Sequence, residues 1–389
     1  MSAPTCLPET HRPLSLAFGG LAALAAAVGI GRFVYTPILP FMAEELAMTK
    51  SLAGLLASVN FLGYLGGALL AATPLLAGSR RTWLLTALTL SALSTGAMAF
   101  ASSPPVFLAL RFLGGAASAL VMVFASALVL DRLSAAARPG LAAVHFAGVG
   151  TGMALSALLV SGLTAWGSGW RTLWLASGFT ACVALGLVAR VVPDRQNPVA
   201  PISPAARRPP GLIALVGAYG LFGFGYVITA TFLVLMVRTS AAVRPLEPLV
   251  WLLVGLTAMP SVALWTWIGG RLGMARAFAL ASLLEAVGVA ASVLWLTPAG
   301  ILLAAALLGG TFMGLTALGL VGARRLAPGE PRRTLAVMTA AFGLGQMIGP
   351  AFAGIVYDAT GSFLGPSLTA VSALLIGALL VLGRALQSA

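Results

Sequence analysis

Arg32 stands inside the apolar stretch GIGRFVYTPILP, residues 29–40, with Tyr35 three positions on and two prolines, Pro37 and Pro40, close behind. At a rise of about 1.5 Å per residue, counted back from Met42, it lies roughly 15 Å from the end of its apolar run. In a bilayer, a charge that deep costs at least about 2.5–3.5 kcal/mol and must face water or a partner rather than lipid. Two kinds of chemistry suit it. A guanidinium forks onto carboxylates and phosphates through parallel N–H donors, and it also hydrogen-bonds carbonyls released where a membrane helix is broken. Pro37 and Pro40 cannot satisfy the carbonyls of Phe33 and Thr36, so the sequence predicts a kink just beyond Arg32.

Few other polar residues interrupt apolar runs. Arg111, about 9 Å inside its run by the same rise, either binds neighbouring backbones together or takes part in proton coupling. His145 is able to change charge near neutral pH or to serve as a hydrogen-bonded packing residue. Glu285 is the acid within the interior of a run, a group that carries protons in some settings and pairs with a neighbour in others. Asn60 and Tyr64 are four apart and share a helix face; with Gln346 they either line a cavity or act as polar glue. The candidates for solute binding are therefore Arg32, Tyr35, Asn60, Tyr64, Tyr226 and Gln346. Those for coupling or gating are Arg111, His145, Glu285, Pro37, Pro40 and Arg271.

Enzyme chemistry has little to work with. Two histidines and nine acids, the acids mostly in polar breaks, supply no paired carboxylates, metal cluster or nucleophilic triad. The strings GVGTG (148–152) and GLGQMIG (343–349) follow no strand, and small residues at helical spacing are what close helix packing needs. Cys6 and Cys182 make neither a disulfide framework nor a metal site, and no cofactor is expected. The net charge of +13 is scattered between apolar runs, unlike a nucleic-acid face.

Something must hold these residues in an apolar medium. The chain of 389 residues is 60% hydrophobic and 8% charged, with a mean hydropathy of +1.03, which places it among polytopic membrane proteins. Cut at charged, Pro or Gly breaks, it yields about twelve runs long enough to span a bilayer. The first, 14–42, is too long for a signal peptide core and lacks a preceding basic cluster, so it is expected to remain as a span. Uniform apolarity rules against a barrel wall, which alternates. Sixteen basic residues fall on one side of this layout and four, Lys50, Arg171, Arg238 and Arg244, on the other, which puts both termini in the cytoplasm.

The Pro- and Arg-rich segment 192–210 falls near mid-chain and reads as a cytoplasmic linker between a bundle at 1–191 and another at 211–389. Internal similarity supports the division. A shift of 194 aligns GIGRFVYTPILPFM (29–42) with GFGYVITATFLVLM (223–236), setting Tyr226 in the place of Arg32. A shift of 193 aligns Ala143, Val144, Ala147, Gly150 and Gly152 with Ala336, Val337, Ala340, Gly343 and Gly345.

Several segments carry a family resemblance. LALRFLGGAASALVMVFASALV (108–129) is similar to the fourth-helix motif of the major facilitator superfamily, with the motif arginine at Arg111. HFAGVGTGMALSALL (145–159) resembles the glycine-rich fifth-helix motif associated with antiporters, without its Gly-Pro pair. LLAGSRRTWLL (75–85) and WIGGRLGMARA (267–277), the latter with Arg271, resemble the Gly/Asp/Arg loop but lack its acid, so the usual charge-relay gate is incomplete. GLGQMIGPAFAGIVYDATGSF (343–363) is similar to the eleventh helix, and GIGRFVYTPILPFM resembles the YbfB/YjiJ-type branch. The resemblance implies an all-α membrane protein of twelve transmembrane helices in two pseudo-symmetric six-helix bundles, with the site between the halves near mid-membrane.

The expected function is secondary transport of a small organic solute, an organic anion if Arg32 is its anchor, by alternating access with proton coupling. Efflux of hydrophobic compounds by proton antiport is the alternative, and a non-transporting sensor or scaffold a third. Expected partners are the solute, protons and lipid; the protein is expected in the bacterial inner membrane as a monomer.

Overall fold

In the computed structural model, residues 13–73, 75–76, 78–194, 210–327 and 331–385 are described. Most of the expected linker, Cys6 and Arg12 lie outside them. Among the described residues there is no strand, and twelve helices are long and apolar enough to cross a membrane. They are α1 (Pro13–Glu45), α2 (Lys50–Ala71), α3 (Arg80–Phe100), α4 (Pro104–Ala135), α5 (Pro139–Ala165), α6 (Trp170–Val191), α7 (Gly211–Thr239), α8 (Arg244–Leu272), α9 (Met274–Leu294), α10 (Pro298–Leu326), α11 (Arg333–Thr360) and α12 (Leu364–Gly383).

Local chemistry sets many of their ends. The side chains of Thr49, Ser79 and Thr297 accept the backbone N–H of Leu52, Thr82 and Gly300, capping α2, α3 and α10. Between α8 and α9 the chain reverses at a single residue, Gly273, whose φ of +85° is open to glycine at little cost. Small residues then let the helices close. A Cβ on Gly115 of α4 would lie 1.9 Å from the Asn60 carbonyl oxygen, and one on Gly63 of α2 would lie 2.1 Å from that of Phe112.

The two halves repeat this packing. Gly152 of α5 packs against Gly29 of α1, and Gly345 of α11 packs against Gly223 of α7, the same pair under the repeat. Packing between the halves is concentrated in α2 with α11, α5 with α8, and α1 with α7. These contacts lie toward the face opposite the termini, here called the distal face. There Gly54 meets the Pro350 carbonyl, Gly354 meets that of Lys50, and Gly255 meets the backbone of Ala154. At the terminal face, Arg81 Nε donates to the Val192 carbonyl at 2.7 Å, and Arg132 Nη1 to that of Pro193 at 3.0 Å.

The first helix is broken, but not where the prolines alone suggest. From Ala25 to Ile30 it widens into a π-helix, with Gly31 N–H donating to the Ala26 carbonyl at 2.8 Å and Phe33 N–H to that of Val28 at 3.2 Å. A turn over 31–34 precedes the α-helical Tyr35–Glu45. The break thus begins a turn before Arg32 instead of just beyond it. The small run Ala25, Ala26, Ala27 and Gly29, pressed against α5, is where the backbone has room to widen.

Candidate functional site

Pro37 has no N–H to give the Phe33 carbonyl. Thr36 N–H takes that carbonyl at 3.2 Å, three residues back, so the Arg32 carbonyl needs another donor. Arg111 of α4 supplies it through Nη2 at 3.3 Å, while its Nε donates to the Leu56 carbonyl of α2 at 3.4 Å. Asn60 Nδ2 in turn donates to the Arg111 carbonyl at 2.7 Å. Tyr35 lies beneath the Arg111 guanidinium, 4.6 Å from ring centre to Cζ, and its hydroxyl donates to the Ala53 carbonyl at 2.8 Å. Arg111, Asn60 and Tyr35 therefore tie α1, α2 and α4 together inside the first half.

Arg32 is held differently. Its Cζ lies 4.3 Å from the Tyr64 ring centre, 4.4 Å from Phe61 and 5.2 Å from Phe33. Its residue exposure is 5%, so it faces protein and not lipid. Nε and Nη2, the adjacent donors on the side-on edge of the fork, are buried and without hydrogen-bond partners. Such donors are costly unless something fills them.

Tyr226 of α7, in the second half, interacts electrostatically with Arg32, as does Tyr64. Gln346 Nε2 of α11 donates to the Tyr226 hydroxyl oxygen, which leaves the phenol's own proton available to an incoming acceptor. The Tyr226 ring stacks between Phe312 and Phe342, at centroid distances of 5.6 and 5.9 Å. Phe312 also meets Phe33 edge-on at 6.0 Å, and Phe33 lies 6.3 Å from Trp251. One wall carries a cation, the other a phenol and an amide, with aromatic rings between.

Glu285 of α9 is wholly buried, although α9 is peripheral in this kind of bundle by resemblance. It sits against Thr311 of α10, the residue beside Phe312, and interacts electrostatically with Tyr226. Thr311 Oγ1 is also 2.6 Å from the Leu307 carbonyl. The same hydroxyl donates to Glu285 Oε2, so its single proton is shared between the carboxyl and the carbonyl.

The remaining candidates lie elsewhere. His145 is buried among α1, α4 and α5, its Nε2 3.0 Å from Ser126 Oγ and its Nδ1 close under Gly20. Arg271 is exposed at the end of α8, stacked 4.1 Å over Trp267. Pro37 borders a cavity of about 130 Å³ between the halves near the distal face, and Pro40 is buried within its helix. The sequence reading missed Phe33, Phe61, Phe312 and Phe342. In a chain with 18 phenylalanines nothing in their letters separates a site wall from ordinary core.

A broken first helix opposite its own repeat, two six-helix bundles and a polar centre enclosed between them define a transporter of the major facilitator type, not an enzyme. The chain belongs to the family described as uncharacterised MFS-type transporter YbfB, whose model matches residues 24–382. A crystal structure of a mutant of the nucleoside transporter NupG is similar in fold, with a TM-score of 0.73 at 13% identity, covering 95% of this chain and 99% of that one. No curated protein matches.

Proposed function

We propose that this transporter moves a small organic anion bearing a carboxylate, by alternating access around Arg32, and that protons drive it through Glu285. The observation that carries the reading is the free Nε/Nη2 edge of Arg32, the geometry a carboxylate fills with two parallel hydrogen bonds. Tyr226, with its proton unspent, is placed to donate a third. Glu285, through Thr311 and Phe312, touches the same aromatic stack, so its protonation state and occupancy of the Arg32 site share a physical connection.

The basic terminal face is taken as cytoplasmic by the arginine bias, in a bacterial inner membrane and with a monomer as the working unit. The distal face, where the halves pack together, then lies on the periplasmic side. Counterflow in proteoliposomes across a library of organic acids tests the proposal. Arg32→Ala and Arg32→Lys both abolish exchange while the protein remains folded; normal exchange by either contradicts the anchor. The aromatic stack around Tyr226 also suits a hydrophobic drug, and a susceptibility panel in a pump-deficient host separates efflux from anion transport.

A further inference from the structure

The charges of the distal face have no part in the solute site, yet they are arranged across the boundary between the halves. Arg238, in the last turn of α7, donates through Nη2 to Glu44 Oε2 of α1 at 2.7 Å and through Nη1 to Glu247 Oε1 of α8 at 2.9 Å. Its guanidinium lies 4.0 Å over Phe41. Asp358, near the end of α11, accepts the backbone N–H of Lys50 through one oxygen at 3.0 Å and that of Ser51 through the other at 2.8 Å. A carboxylate from one half thus satisfies orphan donors at the start of a helix in the other, where the helix dipole also favours negative charge.

We infer that Arg238 and Asp358 form a two-point latch that holds the distal face shut and is released in every transport cycle. Both bonds join opposite halves, so rocking the halves apart at this face must break them. Their partners cannot follow: Glu44 is held in the last turn of the first helix, and the Lys50 and Ser51 amides are fixed by the turn that Thr49 caps. Beneath the latch lies the cavity bordered by Pro37, Phe41, Glu247 and Trp251. Trp251 and Phe33 separate it from Arg32. The latch and this aromatic pair are then two successive barriers on one route from the distal face to the site. Bonds that join the halves at this face only while it is closed favour that state of the cycle.

This inference rests on alternating access and not on the identity of the solute, and its test needs no solute. Purified protein with Cys6→Ser and Cys182→Ser carries spin labels at Glu45→Cys and Ala242→Cys, one on each half at the distal face. A control pair, Glu45→Cys with Trp166→Cys, lies within the first half. Pulsed dipolar spectroscopy on Arg238→Gln/Asp358→Asn is expected to raise the ratio of long to short cross-half distances by about tenfold or more, with the control distances unchanged. Glu44→Gln, altering a side chain that is 69% exposed, is expected to act in the same direction without touching the core. Unchanged cross-half distances in both variants overturn the latch. So does broadening of the control pair in step with the cross-half pair, which marks local melting.

Discussion

Thr36 and Ala230 are 194 positions apart, and the hydroxyl of the first donates to the carbonyl of the second at 2.8 Å. That separation is the repeat offset itself, so each residue touches its own counterpart. Glu44 and Arg238 are separated by the same 194 positions and form an ion pair. The broken half of α1 and its counterpart in α7 therefore meet along the pseudo-twofold axis. Arg32 and Tyr226 are likewise 194 positions apart and interact electrostatically.

The two buried arginines are predicted to separate in a stability measurement. Arg111→Ala removes donors to two carbonyls and is expected to destabilise the protein by about 2–4 kcal/mol. Arg32→Met removes a guanidinium whose Nε and Nη2 have no partner and is expected to cost less than Arg111→Ala, leaving the melting temperature close to that of the wild type. Thermal unfolding in detergent, followed by tryptophan fluorescence, checks both. A larger loss for Arg32→Met than for Arg111→Ala reverses the assignment.

Glu285→Gln keeps the shape and the hydrogen-bonding groups against Thr311 but cannot release a proton. Solute exchange at equal pH on both sides is expected to persist in this variant, while accumulation driven by a pH gradient is lost. Proteoliposome uptake with and without the gradient makes the comparison. Accumulation at the wild-type level removes Glu285 from the coupling pathway.

Closure of the distal face depends on backbone approach at glycine. A Cβ at Gly54 would sit 2.1 Å from the Pro350 carbonyl oxygen in the opposite half. Gly54→Val is therefore expected to favour the distal-open state, which exposes Val234, now 1% accessible at the interface. The rate at which a thiol reagent modifies Val234→Cys is expected to rise in the Gly54→Val background. An unchanged rate shows that the halves close without this contact.

Hydropathy made the spans legible because lipid demands uniform apolarity, which a sequence displays directly. The repeat was legible because Gly29 and Gly223 answer the same steric need against α5 and α11. Arg32 stood out for its cost in lipid. What the letters did not hold was the division of labour between Arg32 and Arg111, since both are single arginines in apolar helices. That division depends on which side chain points at the carbonyl freed ahead of Pro37. Asn60 and Tyr64 share a helix face, yet one bonds the Arg111 backbone and the other covers Arg32, because α4 and α1 reach that face at different heights. Glu44, Arg238 and Asp358 looked like ordinary charges near span ends, and their pairing exists only once the halves are assembled.

Matched pairs of solutes, each an organic acid and its carboxamide, test the Arg32 anchor most directly through their effect on the melting temperature. The acids that exchange in proteoliposomes are expected to stabilise the wild-type protein, their amides are expected to have no effect, and Arg32→Met is expected to respond to neither. Equal stabilisation by acid and amide, or an undiminished response of Arg32→Met to the acid, contradicts the account.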